Sequence, residues 1–484
     1  MFLRAGVLSL ALLLASRVLG LVRESAQAAA FGASGMGDVA VLMLTLPDWL
    51  AGVLASGALA YVLLPAWSHE EGARIAASQR RIARMLLAGG AGLALLLALG
   101  RQPVMGWLAA GLPEALREPA GRGLAWSAAA VPLALLSALW VTRLQHERDF
   151  VGMYAANLVV NGVLIAALLL AATAFGAASS DVLVLGIGLL LAMAARLGWL
   201  QWRQQPFRRA AAPADEAALP AASVWLWAGA AAGLPLALPF LARSLASHEA
   251  PGALATFNYA WKLVELPLVL AIQLVATLAL GPVSRALRGA ASPQEAAAPL
   301  RRGFALAWTL ACACVAGLLL ASPAVAQLLF GWGRMQPEAL EQVARWGRIG
   351  AWSLLPQALI AIALAALAAQ DRLRIAVLAY ALALLVLLLS GARSGAALMV
   401  WLDLLWLAIA LALLRGLRPA AQGWLPWRAL GVAGAALLAR PALLLVPGMP
   451  SSLILQGLAA IAAAAALFGL TWWCSADLRA SLAR

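Results

Sequence analysis

The sequence predicts an all-α polytopic membrane protein with about fourteen transmembrane helices, set out as two six-helix lobes and two C-terminal helices. Three observations predict it. The 484 residues are 64% hydrophobic and 11% charged, with a mean hydropathy of +0.91. A soluble globular chain carries about 25% charged residues, so that class is excluded. Apolar segments of about 20 residues or more, enough to cross a bilayer, recur along the whole chain. The longest polar interruption, WRQQPFRRAAAPADEAALPA at 202–221, falls between the sixth and seventh of them.

The expected spans, in order, are 5–30, 37–66, 82–108, 122–143, 150–175, 181–201, 222–247, 252–284, 300–326, 344–369, 373–392, 395–416, 427–447 and 451–474. Residues 67–81 (WSHEEGARIAASQRR) read as a short amphipathic piece at the inner surface. The domain plan is an N-terminal lobe at 1–201, a cytoplasmic linker at 202–221, a C-terminal lobe at 222–416 and terminal helices at 417–484. The first apolar run continues into a helix with no small-residue cleavage site before a polar stretch, so it reads as a span and not as a signal peptide.

Arginine placement sets the expected orientation. With a cytoplasmic N-terminus, 21 of the 34 basic residues fall in inner loops, 8 in outer loops or their flanks, and five (Arg17, Arg23, Arg196, Arg243 and Lys262) within spans. That bias predicts an even number of spans with both termini cytoplasmic. The net charge of +14 is scattered between apolar runs, so no nucleic acid is expected as a partner. Cys312, Cys314 and Cys474 lie in apolar segments, and the spacing of the first two suits no zinc site. No phosphate-binding loop, His-Glu metal motif or hydrolytic constellation is present, so neither an enzyme nor a cofactor is expected.

The chemistry is expected where charge enters the membrane, because a mid-bilayer charge costs about 2.5 kcal/mol or more. Arg17, Arg23 and Glu24 sit in the first span, with Arg17 and Glu24 seven apart on one face. Asp38 opens the second span after a Gly-rich turn. Lys262 and Glu265 are three apart on the eighth span and face together. Arg243 near the end of the seventh span and Asp403 on the twelfth are secondary candidates. Two readings stay open. The charges are internal pairs, Arg23 with Glu24 or Asp38 and Lys262 with Glu265. Alternatively they line a water-filled cationic cavity for an anionic head group, to which arginine is suited by its bidentate fork. The second and eighth spans also share an internal Leu-Pro (Leu46-Pro47, Leu266-Pro267) and a proline with serine near one end. This faint repeat fits two similar bundles around a central site.

The opening stretch resembles the MurJ (MviN) family, the lipid II flippases of the MOP exporter superfamily. The matching residues are Ser16-Arg17-Val18-Leu19-Gly20, Arg23-Glu24, Phe31-Gly32-Ala33, Asp38, Leu46-Pro47, Gly57-Ala58 and Pro65. Later matches are Tyr259-Ala260, Lys262, Glu265, Pro267, Pro282, Ser284, Leu329-Phe330, Gly333-Arg334 and Gln370-Asp371. The resemblance implies a MOP/MATE-like fold and alternating access. It implies a lipid-linked oligosaccharide substrate on a polyprenyl pyrophosphate carrier. Arg17, Arg23 and Lys262 would be substrate-binding, with Glu24, Asp38 and Glu265 as charge-pair or gating residues. The final two helices would take the polyprenyl tail. The chain departs from the family after Leu46-Pro47, where paired arginines and a glutamate are replaced by Ala51-Gly52 and Ser56. Lys262 also stands for the usual arginine. Flipping of another lipid-linked glycan, such as an exopolysaccharide or capsule repeat unit, is therefore the alternative, with a MATE-like antiporter or a non-transporting scaffold behind it. The expected state is a monomer, with wall or polysaccharide synthesis enzymes as candidate partners.

Overall fold

A computed structural model describes residues 2–70, 72–174, 178–209, 220–289, 293–417, 423–444 and 452–482. The chain forms two compact units: Met1–Ala237 with Ser244–Ala255 and Trp332–Gln336, and Leu238–Arg243 with Thr256–Gly331 and Pro337–Arg484. The described residues are almost wholly helical, and no strand occurs among them.

The first unit contains α1 (Phe2–Phe31), α2 (Gly35–Val53), α3 (Leu59–Trp67), α4 (Gly72–Leu99), α5 (Arg101–Leu108), α6 (Glu114–His146), α7 (Phe150–Ala174), α8 (Ala178–Arg203), α9 (Gln205–Arg209) and the larger part of α10 (Ala222–Ala246). Its core is built by α1, α2, α6, α7 and α8 around Phe31, Met43, Leu164, Leu168, Leu189 and Met193. Ser34 caps α2, its hydroxyl accepting from the Gly37 amide at 3.1 Å. Within α2, Pro47 cannot donate to the Met43 carbonyl four residues back. The Ser127 hydroxyl of α6 donates to that carbonyl instead, at 2.6 Å, and so satisfies a polar group that lipid could not. A π-helical turn, Leu54–Ala58, follows and joins α2 to α3. Gly57 in this turn meets α10 so closely that a Cβ there would lie 1.9 Å from the Ala232 Cβ.

The second unit contains α11 (Ala253–Pro267) from Thr256 onward, α12 (Gln273–Gly289), α13 (Pro293–Phe330), α14 (Pro337–Gly350), α15 (Leu354–Ala369), α16 (Arg374–Leu389), α17 (Gly395–Gly416), α18 (Trp427–Leu444), α19 (Leu453–Cys474) and α20 (Ala476–Leu482). The 38-residue α13 is its spine, packed by α12, α14, α15, α18 and α19. Tyr259 stacks near Phe330 with centroids 5.0 Å apart, and Phe257 near Trp346 at 6.2 Å. Pro267 ends α11 and a second π-helical turn, Leu268–Ile272, leads into α12. The repeat of Leu-Pro in the sequence thus coincides with a proline followed by a π turn in each unit. Such turns are rare and frequent at functional sites.

Eleven described helices are long and apolar enough to cross a membrane. The other three expected spans are α1, which carries Arg17, Arg23 and Glu24, and the shorter apolar helices Arg374–Leu389 and Trp427–Ala439. Residues 67–81 are not a separate amphipathic piece: α4 runs unbroken from Gly72 to Leu99, and the expected continuation to 108 is instead the separate α5. No proline or glycine breaks the polar first turns of α4, so they propagate into its apolar part. Leu95, Leu96 and Leu99 on α4, and Ile454 and Ile461 on α19, are exposed, as lipid-facing residues are. The middle of the expected linker, 210–219, lies outside the described residues.

Candidate functional site

The densest buried charge in the first unit gathers around Arg23. Its Nη1 donates to Asp48 Oδ2 at 2.6 Å and its Nη2 to Glu24 Oε1 at 3.0 Å. The Arg23 and Glu24 side chains are 13% and 9% exposed, and Asp48 is 31% exposed. Glu24 is its neighbour on α1, whereas Asp48 comes from α2 immediately after Pro47. A third helix contributes Arg196 of α8, 8% exposed, which feels the charge of Asp48. The Arg196 Nε has no hydrogen-bond partner among the described residues. Gln27, one turn beyond Arg23, is also buried, with its Nε2 unpartnered. One turn before Arg23, Gly20 lets Asn161 of α7 approach, its Nδ2 lying 3.8 Å from where a Cβ would stand. Two cations and two carboxylates therefore come together from α1, α2 and α8. Burying such groups is tolerable only when each charge has a counter-charge.

The other residues predicted in this unit are placed differently. Arg17 is exposed and makes no ion pair among the described residues, so it does not meet Glu24 despite the seven-residue spacing. Asp38 is buried and does not pair with Arg23. Its Oδ2 accepts from the Gly252 amide and its Oδ1 from the Ala255 amide, each at 2.7 Å. Those amides lie just before and within the first turn of α11, where N–H groups have no intrahelical acceptor. Asp38 is thus a helix cap supplied from another helix, where a carboxylate also complements the helix dipole. The capped turn is held tightly: Gly252 has φ +89°, and a Cβ there would lie 2.2 Å from the Ala33 carbonyl oxygen. Beside it, the Arg334 amide donates to the Ala29 carbonyl at 2.9 Å.

In the second unit, Lys262 Nζ donates to Glu265 Oε2 at 2.8 Å, with side chains 24% and 37% exposed. Arg243 Nη1 donates to Asn258 Oδ1 at 2.7 Å, and its guanidinium lies 5.1 Å from the Phe240 ring centroid. Asp403 has Oδ1 buried without a hydrogen-bond partner, while the Ser353 amide serves the carboxylate. Among the described residues no group of three His, Cys, Asp or Glu comes together that could hold a metal ion.

Sequence reasoning missed Asp48 as the second partner of Arg23, and counted Arg196 only as an embedded charge. The available signal was weak: an acid directly after an in-span proline, and an arginine in the interior of the sixth span.

Many membrane-spanning helices with buried, paired charge define a polytopic membrane protein, and its fold is shared with solved MurJ and MATE transporters. A solved structure titled "Lipid II flippase MurJ, inward closed conformation" superposes with a TM-score of 0.78 at 14% identity, covering 96% of this chain and 99% of that one. A multidrug resistance MATE family transporter of the MOP superfamily, in an inward-facing conformation, gives 0.64 at 14% identity, with 91% and 99% covered. A MOP superfamily transporter from Pyrococcus furiosus gives 0.59 at 17% identity, with 89% and 95% covered. No curated protein sequence matches the chain. The profile of the lipid II flippase MurJ family matches residues 27–424, and the chain belongs to that family.

Proposed function

We propose that this chain moves lipid II, the undecaprenyl-pyrophosphate-linked peptidoglycan precursor, from the cytoplasmic to the outer leaflet of the inner membrane by alternating access. The family match over residues 27–424 carries the reading. Arg23, with Arg17 and Lys262, receives the pyrophosphate, because guanidinium and ammonium groups make strong charge-assisted hydrogen bonds to phosphate oxygens. Glu24 and Glu265 hold Arg23 and Lys262 when no substrate is bound, and Asp38 acts in gating through the α11 turn that it caps. Arg243 and Asp403 are secondary members of the site. The lobes at 1–201 and 222–416 alternate, with 417–484 serving the lipid tail and both termini in the cytoplasm. The chain works as a monomer, as a transporter and not an enzyme, without a cofactor, and beside the wall-synthesis enzymes. The membrane potential or an ion gradient drives the cycle, each charge that crosses 100 mV being worth about 2.3 kcal/mol.

The test is complementation. In a bacterium depleted of its resident lipid II flippase, expression of the full chain restores growth, and Arg17→Ala lowers that rescue. Failure to rescue despite good membrane expression would overturn the lipid II assignment in favour of another lipid-linked glycan.

A further inference from the structure

Asp48 and Arg196 form an arrangement that binding of a head group to Arg23 does not by itself require. Two of the Arg23 donors are already occupied, one by Glu24 and one by Asp48. The two carboxylates are not equivalent. Glu24 adjoins Arg23 on α1 and moves with it. Asp48 belongs to α2, is the more exposed of the two, and has a second cation at hand. That second cation, Arg196, is more than nine-tenths buried, and its Nε has no hydrogen-bond partner among the described residues. The charge that acts on it is that of Asp48. One carboxylate therefore serves two guanidinium groups and bonds only one of them.

We propose that Asp48 is an internal competitor for the pyrophosphate: it occupies Arg23 when the site is empty and transfers to Arg196 when a pyrophosphate arrives. The proposal rests on the function proposed above and adds the device that makes binding reversible. A pyrophosphate at Arg23 repels the Asp48 carboxylate. Arg196, whose buried Nε has no partner, then donates to it. Every buried charge keeps a counter-charge in both states, which avoids the large cost of an isolated buried ion. On release the carboxylate returns and displaces the phosphate oxygens, so the site does not hold its substrate too tightly to turn over.

The experiment uses the full chain in lipid nanodiscs, titrated with undecaprenyl pyrophosphate. Asp48→Asn removes the competitor and is expected to tighten binding about tenfold while slowing lipid II flipping. Arg196→Gln removes the alternative partner and is expected to weaken binding about tenfold. In the double variant the Arg196→Gln loss disappears, because no displaced carboxylate needs a home. Asp48→Ser carries the same expectation as the amide, so misfolding of one variant does not shelter the proposal. Binding that Asp48→Asn leaves unchanged or weakens, or an Arg196→Gln loss that persists in the double variant, overturns the exchange while leaving the proposed function standing. No binding by the wild-type chain would count against the proposed function itself.

Discussion

The two units carry buried charge in different ways. In the first, Arg23 is clasped by carboxylates from α1 and α2, with Arg196 of α8 behind them, so the cluster exists only when three helices are packed. In the second, Lys262 and Glu265 are three residues apart on α11 and can meet on an isolated helix. A local pair of this kind contributes about 0.2–0.5 kcal/mol. An interhelix cluster in an apolar interior places far more at stake, because each partner left alone is an uncompensated charge. The comparison separates an interhelix cluster from a local pair.

Substitution can break that comparison, most strongly at Arg23. Arg23→Gln removes the cation that bonds both Glu24 and Asp48. The expected loss is about 3–5 kcal/mol of stability, read by thermal denaturation in detergent, together with loss of lipid II flipping. A variant as stable as the wild type would erase the distinction between the units. Next comes Asp38→Ala, which removes two charge-assisted hydrogen bonds and is expected to cost about 3 kcal/mol. Hydrogen exchange localises it: the Gly252 and Ala255 amides lose protection first. The second unit sharpens the contrast. Lys262→Ala is expected to shift stability by less than about 0.5 kcal/mol while lowering transport. The smallest effect is at Asp403. Its unpartnered oxygen gains nothing from the charge, so Asp403→Asn is expected to lower transport only slightly and change stability by less than about 0.5 kcal/mol. Loss of transport there would instead mark a proton site.

The same contrast explains what was legible in the sequence. Hydropathy and segment length gave the helical membrane class and the order of spans, because lipid imposes those directly. Lys262 with Glu265 was readable from helical spacing, and Arg23 with Glu24 from adjacency. Asp48 was not, since its partner lies 25 residues away on another helix and only packing brings them together. Asp38 was read as a partner for arginine because its charge was visible, whereas the bare amides of Gly252 and Ala255 have no signature in side-chain pattern. The continuity of α4 through 72–99 was missed because a polar first half followed by an apolar second half resembles two elements. The coincidence of Leu-Pro with a π turn in both units was legible only as the proline repeat.

The central claim is that this chain flips lipid II through the interhelix charge cluster of its first unit. Reconstituting the full chain into vesicles with fluorescent lipid II, and following its redistribution between leaflets, tests that most directly. The account predicts that the wild-type chain speeds redistribution over protein-free vesicles and that Arg23→Gln, present in equal amount, does not. Redistribution by Arg23→Gln at the wild-type rate, or none by a well-reconstituted wild-type chain, would contradict it.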